Sequence, residues 1–176
     1  MNKSRGELVS DRLKETGRQC GSCSLCCFVF AIKELDKPEK QWCRHCKPGK
    51  GCSIHGNHPD VCQTFVCEWL IRPIPDHWYP LKSRMVITFP ERSEVNPVSV
   101  LLITVDPRYP ARWREEPYHS DIKRFSRSGL SGDNPGKLYY QTQIKCGAEG
   151  WLILPDEEVK STDPRFVRTN STLLSV

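Results

Sequence analysis

Cysteine is the residue type whose number and spacing in this chain point most directly to chemistry. Nine of the ten cysteines lie between residues 20 and 67. They come as pairs two residues apart, such as Cys20 with Cys23, followed by single cysteines further along the chain. A Cys-x-x-Cys step lets two sulfurs reach one tetrahedral ion from a single turn, and a second pair from a distant segment closes the shell. The pattern therefore predicts metal binding, and the candidate ligands are Cys20, Cys23, Cys26, Cys27, Cys43, Cys46, Cys52, Cys62 and Cys67.

A disulfide framework is the competing interpretation of so many cysteines. Residues 1–19 carry charges throughout and no continuous apolar core, so we expect no signal peptide and a cytoplasmic location. Thiols stay reduced there, whereas small disulfide-rich scaffolds belong mainly to secreted chains. The longest apolar runs, residues 26–32 and 98–105, are too short to span a bilayer, so no membrane partner is expected.

Composition limits the core that the chain can build. Only 38% of the 176 residues are hydrophobic, and the mean hydropathy is −0.54. We therefore expect bound metal to supply part of the folding free energy of the first 70 residues. The formal net charge of +5 counts every cysteine as neutral. Because metal ligation requires thiolates, this basic balance is weak evidence for a nucleic-acid partner.

The chain is predicted to divide into four segments. Residues 1–19 read as a polar arm or a short helix, and residues 20–72 as a cysteine-cluster metal-binding module. A proline-rich connector then leads to a small α+β sheet region over residues 83–155, and residues 156–176 are predicted to be an irregular tail.

The sheet region shows four β-branched or aromatic runs that predict strands, at residues 84–89, 97–105, 138–145 and 151–154. Between the second and third runs, residues 118–128 have the spacing of one amphipathic helix. The predicted fold class is α+β. A cysteine-rich, metal-stapled module of short helices and loops is expected to pack on a small antiparallel sheet with one helix.

The spacing leaves the metal open between Zn²⁺, as one or two ions, and iron in a 4Fe–4S cluster. Cys20 to Cys26 forms the Cys-x-x-Cys-x-x-Cys run that supplies three thiolates to a ferredoxin cluster. The fourth cysteine of that pattern is missing, because Cys27 comes too early and is followed by phenylalanine. Cys43 to Cys46 is a good zinc-knuckle pair.

Residues 20–27, followed by Cys43, by residues 52–55 and by residues 59–67, resemble the CxxCxxCC family of zinc- or iron-chelating domains, the YkgJ-like cysteine-cluster proteins. That family reads Cys-x-x-Cys-x-x-Cys-Cys and later Cys-x-Ile-Tyr-x-x-Arg-Pro-x-x-Cys-Arg-x-Phe-x-Cys. The resemblance covers about residues 20–69. It implies a bacterial cytosolic metalloprotein, and one branch of the family is linked to flagellin lysine methylation.

Three residues depart from that family pattern. His55 stands where the family has tyrosine, His58 where it has arginine, and Gln63 where it has arginine after the cysteine. We expect both histidines to be solvated loop residues, since the cysteines already supply more donors than two sites need. The alternative is that they are imidazole ligands of zinc. His45, inside the knuckle, is expected to support a ligand rather than to be one.

Three functions follow from these patterns. The first is a metal-binding cysteine-cluster protein in which zinc or iron has a structural role. The second is a 4Fe–4S redox or radical enzyme, with protein modification as one reaction class. The third is a zinc-stapled module that binds protein or nucleic acid through residues 106–127, where arginines and aromatic residues alternate with acidic ones. Glycine-rich phosphate loops and hydrolase motifs are absent from the sequence, which disfavours a kinase or a hydrolase.

Overall fold

Residues 5–89, 99–128, 140–154 and 156–160 are described in the computed structural model of the chain. They form a mixture of helices and sheets, which confirms the α+β class at that level. The helices are α1 (Arg5–Thr16), α2 (Cys26–Val29), α3 (Asp60–Thr64), α4 (Glu68–Ile71), α5 (Pro80–Ser83) and α6 (Tyr118–Ser128), with turns of 3₁₀ helix at Lys33–Leu35, Asp76–Trp78 and Arg112–Arg114. The strands are β1 (Cys46–Lys47), β2 (Gly51–Cys52), β3 (Met85–Thr88), β4 (Ser99–Val105), β5 (Tyr140–Cys146), β6 (Glu149–Ile153) and β7 (Glu158–Lys160).

Strands β3 to β7 form one five-stranded sheet in which neighbouring strands follow the order of the chain. The pairs β3–β4, β5–β6 and β6–β7 are antiparallel, whereas β4 and β5 are parallel, with Leu101 opposite Thr142. The turn between β5 and β6 passes through Gly147, whose φ of 62° is a backbone conformation that glycine adopts without steric cost. Strands β1 and β2 make a separate antiparallel hairpin.

The prediction of an antiparallel sheet was wrong for the central pair of strands. Parallel neighbours need a connection long enough to return the chain to the starting end of the first strand, and that connection is usually a helix. Helix α6 lies between β4 and β5 and carries the chain back in this way. The helix was predicted correctly as an element, but its role as a crossover was not recognised.

The other predicted elements agree closely with the observed ones. Helix α6 occupies residues 118–128 as predicted, and strands β3 to β6 overlap the four predicted runs. The tail was predicted to be irregular from residue 156, but Glu158–Lys160 forms β7, which pairs with β6. Residues 161–176 lie outside the described residues. Across the part of the chain that is described, none of the helices combines the length and apolar character needed to cross a membrane.

One continuous hydrophobic core joins the cysteine segment to the sheet. Helix α6 packs against β5 and β6 and buries Ile122 and Phe125 completely or almost completely. The same core includes Phe28 of α2 and Leu70 of α4 from the cysteine segment. Burying these side chains is worth about 2 kcal/mol each. The short elements around the cysteines are therefore supported by the larger sheet.

Two polar contacts also tie the sheet to the cysteine segment. Asp106, directly after β4, is fully buried and accepts hydrogen bonds of 2.9 and 2.7 Å from Nε and Nη2 of Arg108. The Arg108 guanidinium in turn lies 4.3 Å from the centre of the Phe28 ring. On the neighbouring strand, Lys145 Nζ is 3.0 Å from a carboxylate oxygen of Glu39. The ends of β4 and β5 therefore face the cysteine segment.

Arg18 fixes the chain immediately before the first cysteine. Its guanidinium lies 4.4 Å from the centre of the Trp69 ring and donates to the carbonyl oxygens of Trp69 (2.7 Å), Arg72 (3.0 Å) and Ile74 (2.7 Å). It donates a further bond of 2.7 Å to the carboxylate of Asp76. Carbonyl groups at the end of a helix have no partner within the helix. Arg18 therefore donates hydrogen bonds to carbonyl groups at the end of α4. The same contacts hold the chain before Cys20 against that helix.

We predict that Arg18→Lys lowers the free energy of unfolding by about 2 kcal/mol, because a single ammonium group cannot reach the four acceptors that the planar guanidinium bridges. Chemical denaturation followed by tryptophan fluorescence measures the change. Arg12→Lys is the matched control, since Arg12 is largely exposed and, among the described residues, pairs with Glu15 one helical turn away. Equal stability of the two variants would contradict the structural role given to Arg18.

Candidate metal centre

Four of the cysteines line one small apolar pocket. Cys20, Cys23 and Cys26 come from the Cys-x-x-Cys-x-x-Cys run, and Cys67 comes from the residue before α4. The pocket has a volume of about 30 Å³, which leaves room for an atom-sized occupant. These four cysteines are called the pocket group below. The other side chains that line the pocket are Phe65, Trp69, Leu70, Tyr79, Pro80 and Val86.

Local backbone structure explains how the pocket group comes together. The N–H of Cys23 donates to the carbonyl oxygen of Cys20 at 2.8 Å, so the first Cys-x-x-Cys step is a tight turn. The Tyr79 hydroxyl donates to the same carbonyl oxygen at 2.9 Å. Helix α2 begins at Cys26, and the Arg18 contacts bring this whole run against α4, which begins directly after Cys67.

The electrostatics of the pocket group disfavour bare thiolates. Burial, followed by the nearby thiols of Cys23 and Cys20, raises the pKa of Cys67 to about 12. Burial likewise raises the pKa of Cys23. A divalent cation reverses this situation, because a coordinating thiol is deprotonated outright. The indole N–H of Trp69 is buried and finds no hydrogen-bond partner among the described residues, so it is a donor that a thiolate or sulfide could satisfy.

The other five cysteines of the cluster form a second group, namely Cys27, Cys43, Cys46, Cys52 and Cys62. The backbone N–H of Cys43 donates to the carbonyl oxygen of Cys27 at 3.1 Å. In the β1–β2 hairpin, Cys46 is directly opposite Cys52. Cys62 lies on α3, and burial together with the charges of Cys27, Cys43 and Cys52 raises its pKa to about 11. Distant segments of the chain therefore converge on this second group.

Cys27 is the centre of a short chain of thiol hydrogen bonds. The Cys26 thiol bonds to the Cys27 sulfur, and this contact lowers the pKa of Cys27 and raises that of Cys26. Burial works against the ionisation of Cys27, but a second thiol contact from Cys46 and the charge of Lys37 outweigh it and leave the pKa of Cys27 at about 6. These contacts favour the thiolate form of Cys27 at neutral pH. It lies in the second group while its neighbour in sequence lies in the pocket group.

Lys37 supplies a buried positive charge beside the second group. The residue is only 6% exposed. Its ammonium group donates to the carbonyl oxygens of Phe28, at 3.1 Å, and Phe30, which fixes it next to α2. Burial lowers the pKa of Lys37, whereas the charges of Cys27 and Cys43 oppose that change. A buried lysine in this position offsets the negative charge of neighbouring thiolates.

The histidines of the cysteine segment and Cys146, the tenth cysteine, lie at separate positions in the fold. His45 turns its ring toward Arg44, whose Nε lies 3.2 Å from His45 Nε2. His55 and His58 lie on the loop between β2 and α3, with ring centres 5.1 Å apart. Cys146 ends β5 and is buried in the hydrophobic core, as the sequence predicted. It does not line the pocket.

The grouping does not amount to a closed coordination shell. Within residues 5–89, 99–128, 140–154 and 156–160, no set of three or more His, Cys, Asp or Glu side chains is arranged so that it could hold a metal ion. The type of donor nevertheless fits zinc or an iron–sulfur cluster, since both are held by cysteine thiolates. A metal site is rarely preformed without its ion, because binding and local folding are coupled.

The basic residues of the 106–127 segment are already ion-paired. Each has an acidic partner within 4.0 Å, and three of these carboxylates, Asp106, Asp121 and Glu158, are themselves largely buried. The segment is therefore a network of internal pairs rather than a row of free cations. The pairs are Arg108–Asp106, Arg112–Glu115, Arg114–Glu158, Lys123–Glu158, Arg124–Asp121 and Arg127–Asp156.

Comparison of the chain with protein-family models, with curated proteins and with solved structures finds no match. Membership of the CxxCxxCC family therefore stays a prediction that rests on the cysteine spacing alone. The two cysteine groups described above come from the geometry of this chain.

We predict that Cys27 is the first cysteine to be alkylated by limiting iodoacetamide in the reduced, metal-free protein at pH 7. Its labelling rate should level off above a pH of about 6, because the reactive thiolate is already formed. The rates at Cys46 and Cys62 should keep rising toward a pH of about 11. Mass spectrometry of proteolytic peptides measures each site.

Cys26→Ala is the control for this labelling experiment. It removes the hydrogen bond that contributes most to the lowered pKa of Cys27, so the labelling curve of Cys27 should move to higher pH. Preferential labelling of Cys62, or an unchanged Cys27 curve in the variant, would show that the proposed chain of thiol contacts is absent in solution.

Proposed function

We propose that this chain is a metal-binding cysteine-cluster protein that chelates zinc or iron through its clustered thiolates. The observation that carries the proposal is the pocket group, in which Cys67 joins three cysteines from a segment more than forty positions earlier in the chain. Convergence of thiols from separate segments is the arrangement that tetrahedral thiolate sites use. The ten cysteines are free thiols, which suits a reducing compartment such as the cytoplasm.

A structural role for the metal is the simplest one. The helices and strands between residues 20 and 72 contain two to five residues each. Helices of that length are unstable alone, since their nucleation cost is not recovered. Metal bound between the two ends of this segment would add folding free energy to the part of the chain whose helices and strands are shortest.

An iron–sulfur redox or radical enzyme is the second candidate, and the pocket group is the observation that favours it. A Cys-x-x-Cys-x-x-Cys run with one distant cysteine has the number of thiolates that a 4Fe–4S cluster needs, and the pocket of about 30 Å³ would have to widen to admit the cluster. The apolar lining and the unpaired indole N–H of Trp69 are suited to cluster sulfurs, whose potentials depend on solvent exclusion and hydrogen bonding. A nucleic-acid role gains no such support, because the basic residues of the 106–127 segment are paired.

Metal analysis of protein purified without oxygen tests the proposal and separates its two forms. Bound zinc should give a colourless protein with integral zinc content. A cluster should give a brown protein with visible absorbance and matching iron and sulfide content. A folded, fully reduced protein that binds neither zinc nor iron after reconstitution would overturn the proposal.

Serine substitutions in the two groups should remove metal independently. We expect Cys67→Ser to lose the metal of the pocket group and Cys52→Ser to lose that of the second group, because each loses a thiolate donor. Cys146→Ser is the matched control and should keep the metal content of the parent, since Cys146 is buried in the core of the sheet. Elemental analysis after gel filtration measures all three. Metal loss in the control, or complete loss in both test variants, would contradict two separate groups.

A further inference from the structure

The loop between β2 and α3 carries two histidines next to the second group. It begins at Cys52 and leads into the helix that contains Cys62. The backbone N–H of His55 lies 3.4 Å from the carbonyl oxygen of Cys52, so the loop turns back at once toward the hairpin. The rings of His55 and His58 are 5.1 Å apart and tilted by 48°. Along the chain, both histidines thus lie between Cys52 and Cys62, two cysteines of the same group.

His58 has a ring nitrogen that the protein leaves unsatisfied. Its Nδ1 atom is buried and has no hydrogen-bond partner in the described part of the chain. The nearby amide of Gln63 does not serve it, because that amide donates to the backbone carbonyl oxygen of His58 at 2.7 Å. A buried polar atom without a partner in the protein is available to bind an ion or a water molecule. His55, by contrast, is an exposed residue.

Charge balance at the second group also favours an imidazole. Four thiolates leave a zinc centre with a net charge of −2, whereas three thiolates and one neutral imidazole leave −1. The single positive charge of Lys37, fixed beside the group by the carbonyl of Phe28, balances the −1 of three thiolates and one imidazole. It balances only half of the −2 of four thiolates. Mixed cysteine and histidine sets are common ligands of zinc.

We infer that His58 is a ligand of the metal held by the second group, through Nδ1, and that this site is of the mixed thiolate–imidazole type that binds zinc. The inference rests on the proposed function, since it names a ligand of one of its two groups. For His58 it takes the alternative that the sequence left open, an imidazole ligand of zinc, in place of the expected solvated loop residue. His55 packs beside the ligand ring and stays outside the coordination shell.

Zinc competition titrations on the full-length reduced protein test the inference. His58→Gln should weaken zinc binding at the second group by about 100-fold or more, the upper range for perturbing a ligand shell, and should leave the pocket group unchanged. His55→Gln is the matched control and should stay within about threefold of the parent, because it loses ring packing but no donor. Unchanged affinity in His58→Gln would overturn the inference.

Cobalt substitution gives a second readout that does not depend on affinity. In the parent, Co²⁺ should show the visible bands of a mixed sulfur and nitrogen set, and these bands should change in His58→Gln but not in His55→Gln. His58→Cys should restore tight binding with bands of an all-sulfur set, which a purely structural defect would not produce. Identical cobalt spectra in the parent and in His58→Cys would show that His58 is not a ligand.

The outcomes separate this inference from the proposed function. A parent protein that binds no metal would refute the proposed function itself. A parent that binds metal in both groups, with His58→Gln indistinguishable from it, would leave the proposed function standing and refute the ligand role of His58 alone.

Discussion

The position of Arg18 is the constraint on which the cysteine cluster depends. One guanidinium bridges three carbonyl groups and a carboxylate near the end of α4 while stacking on Trp69. Together with the shared core and the Tyr79–Cys20 hydrogen bond, this bridge keeps the Cys-x-x-Cys-x-x-Cys run against the segment that contains Cys67. The planar fork of arginine is suited to several acceptors at once. The pocket group is therefore positioned by a residue that is neither a cysteine nor apolar.

The sheet provides the rigid surface that this arrangement needs. Its strands share one core with Phe28 and Leu70 of the cysteine segment, and Arg108, paired with the buried Asp106, holds the end of β4 against α2. The sheet thus supports the cysteines without supplying a donor to the pocket, since Cys146 points into the core. The two parts of the chain differ in what stabilises them. Apolar burial stabilises the sheet, whereas the short elements around the cysteines depend on polar bridges as well as on the shared core.

Sequence reasoning recovered the elements better than their arrangement. Helix α6 and the four main strands were predictable because hydrophobic periodicity is a local property. The parallel pairing of β4 with β5 depends on where α6 returns the chain, which no local pattern encodes. The nine cysteines were recognised from spacing, but their division into groups of four and five was not. That division depends on Arg18 and on the β1–β2 hairpin, both of which act between distant residues. His58 was named from the sequence as an alternative zinc ligand, but the burial of its Nδ1 atom was not predictable, because burial is a property of the fold.

The boundary between the two groups falls on the peptide bond that joins Cys26 to Cys27. One of these residues lines the pocket, and the next bonds to Cys46 in the hairpin. Under the proposed function, adjacent residues of one chain would each hold a different ion. The distance between the two ions is then set by a single planar, stiff peptide unit rather than by the packing of separate segments.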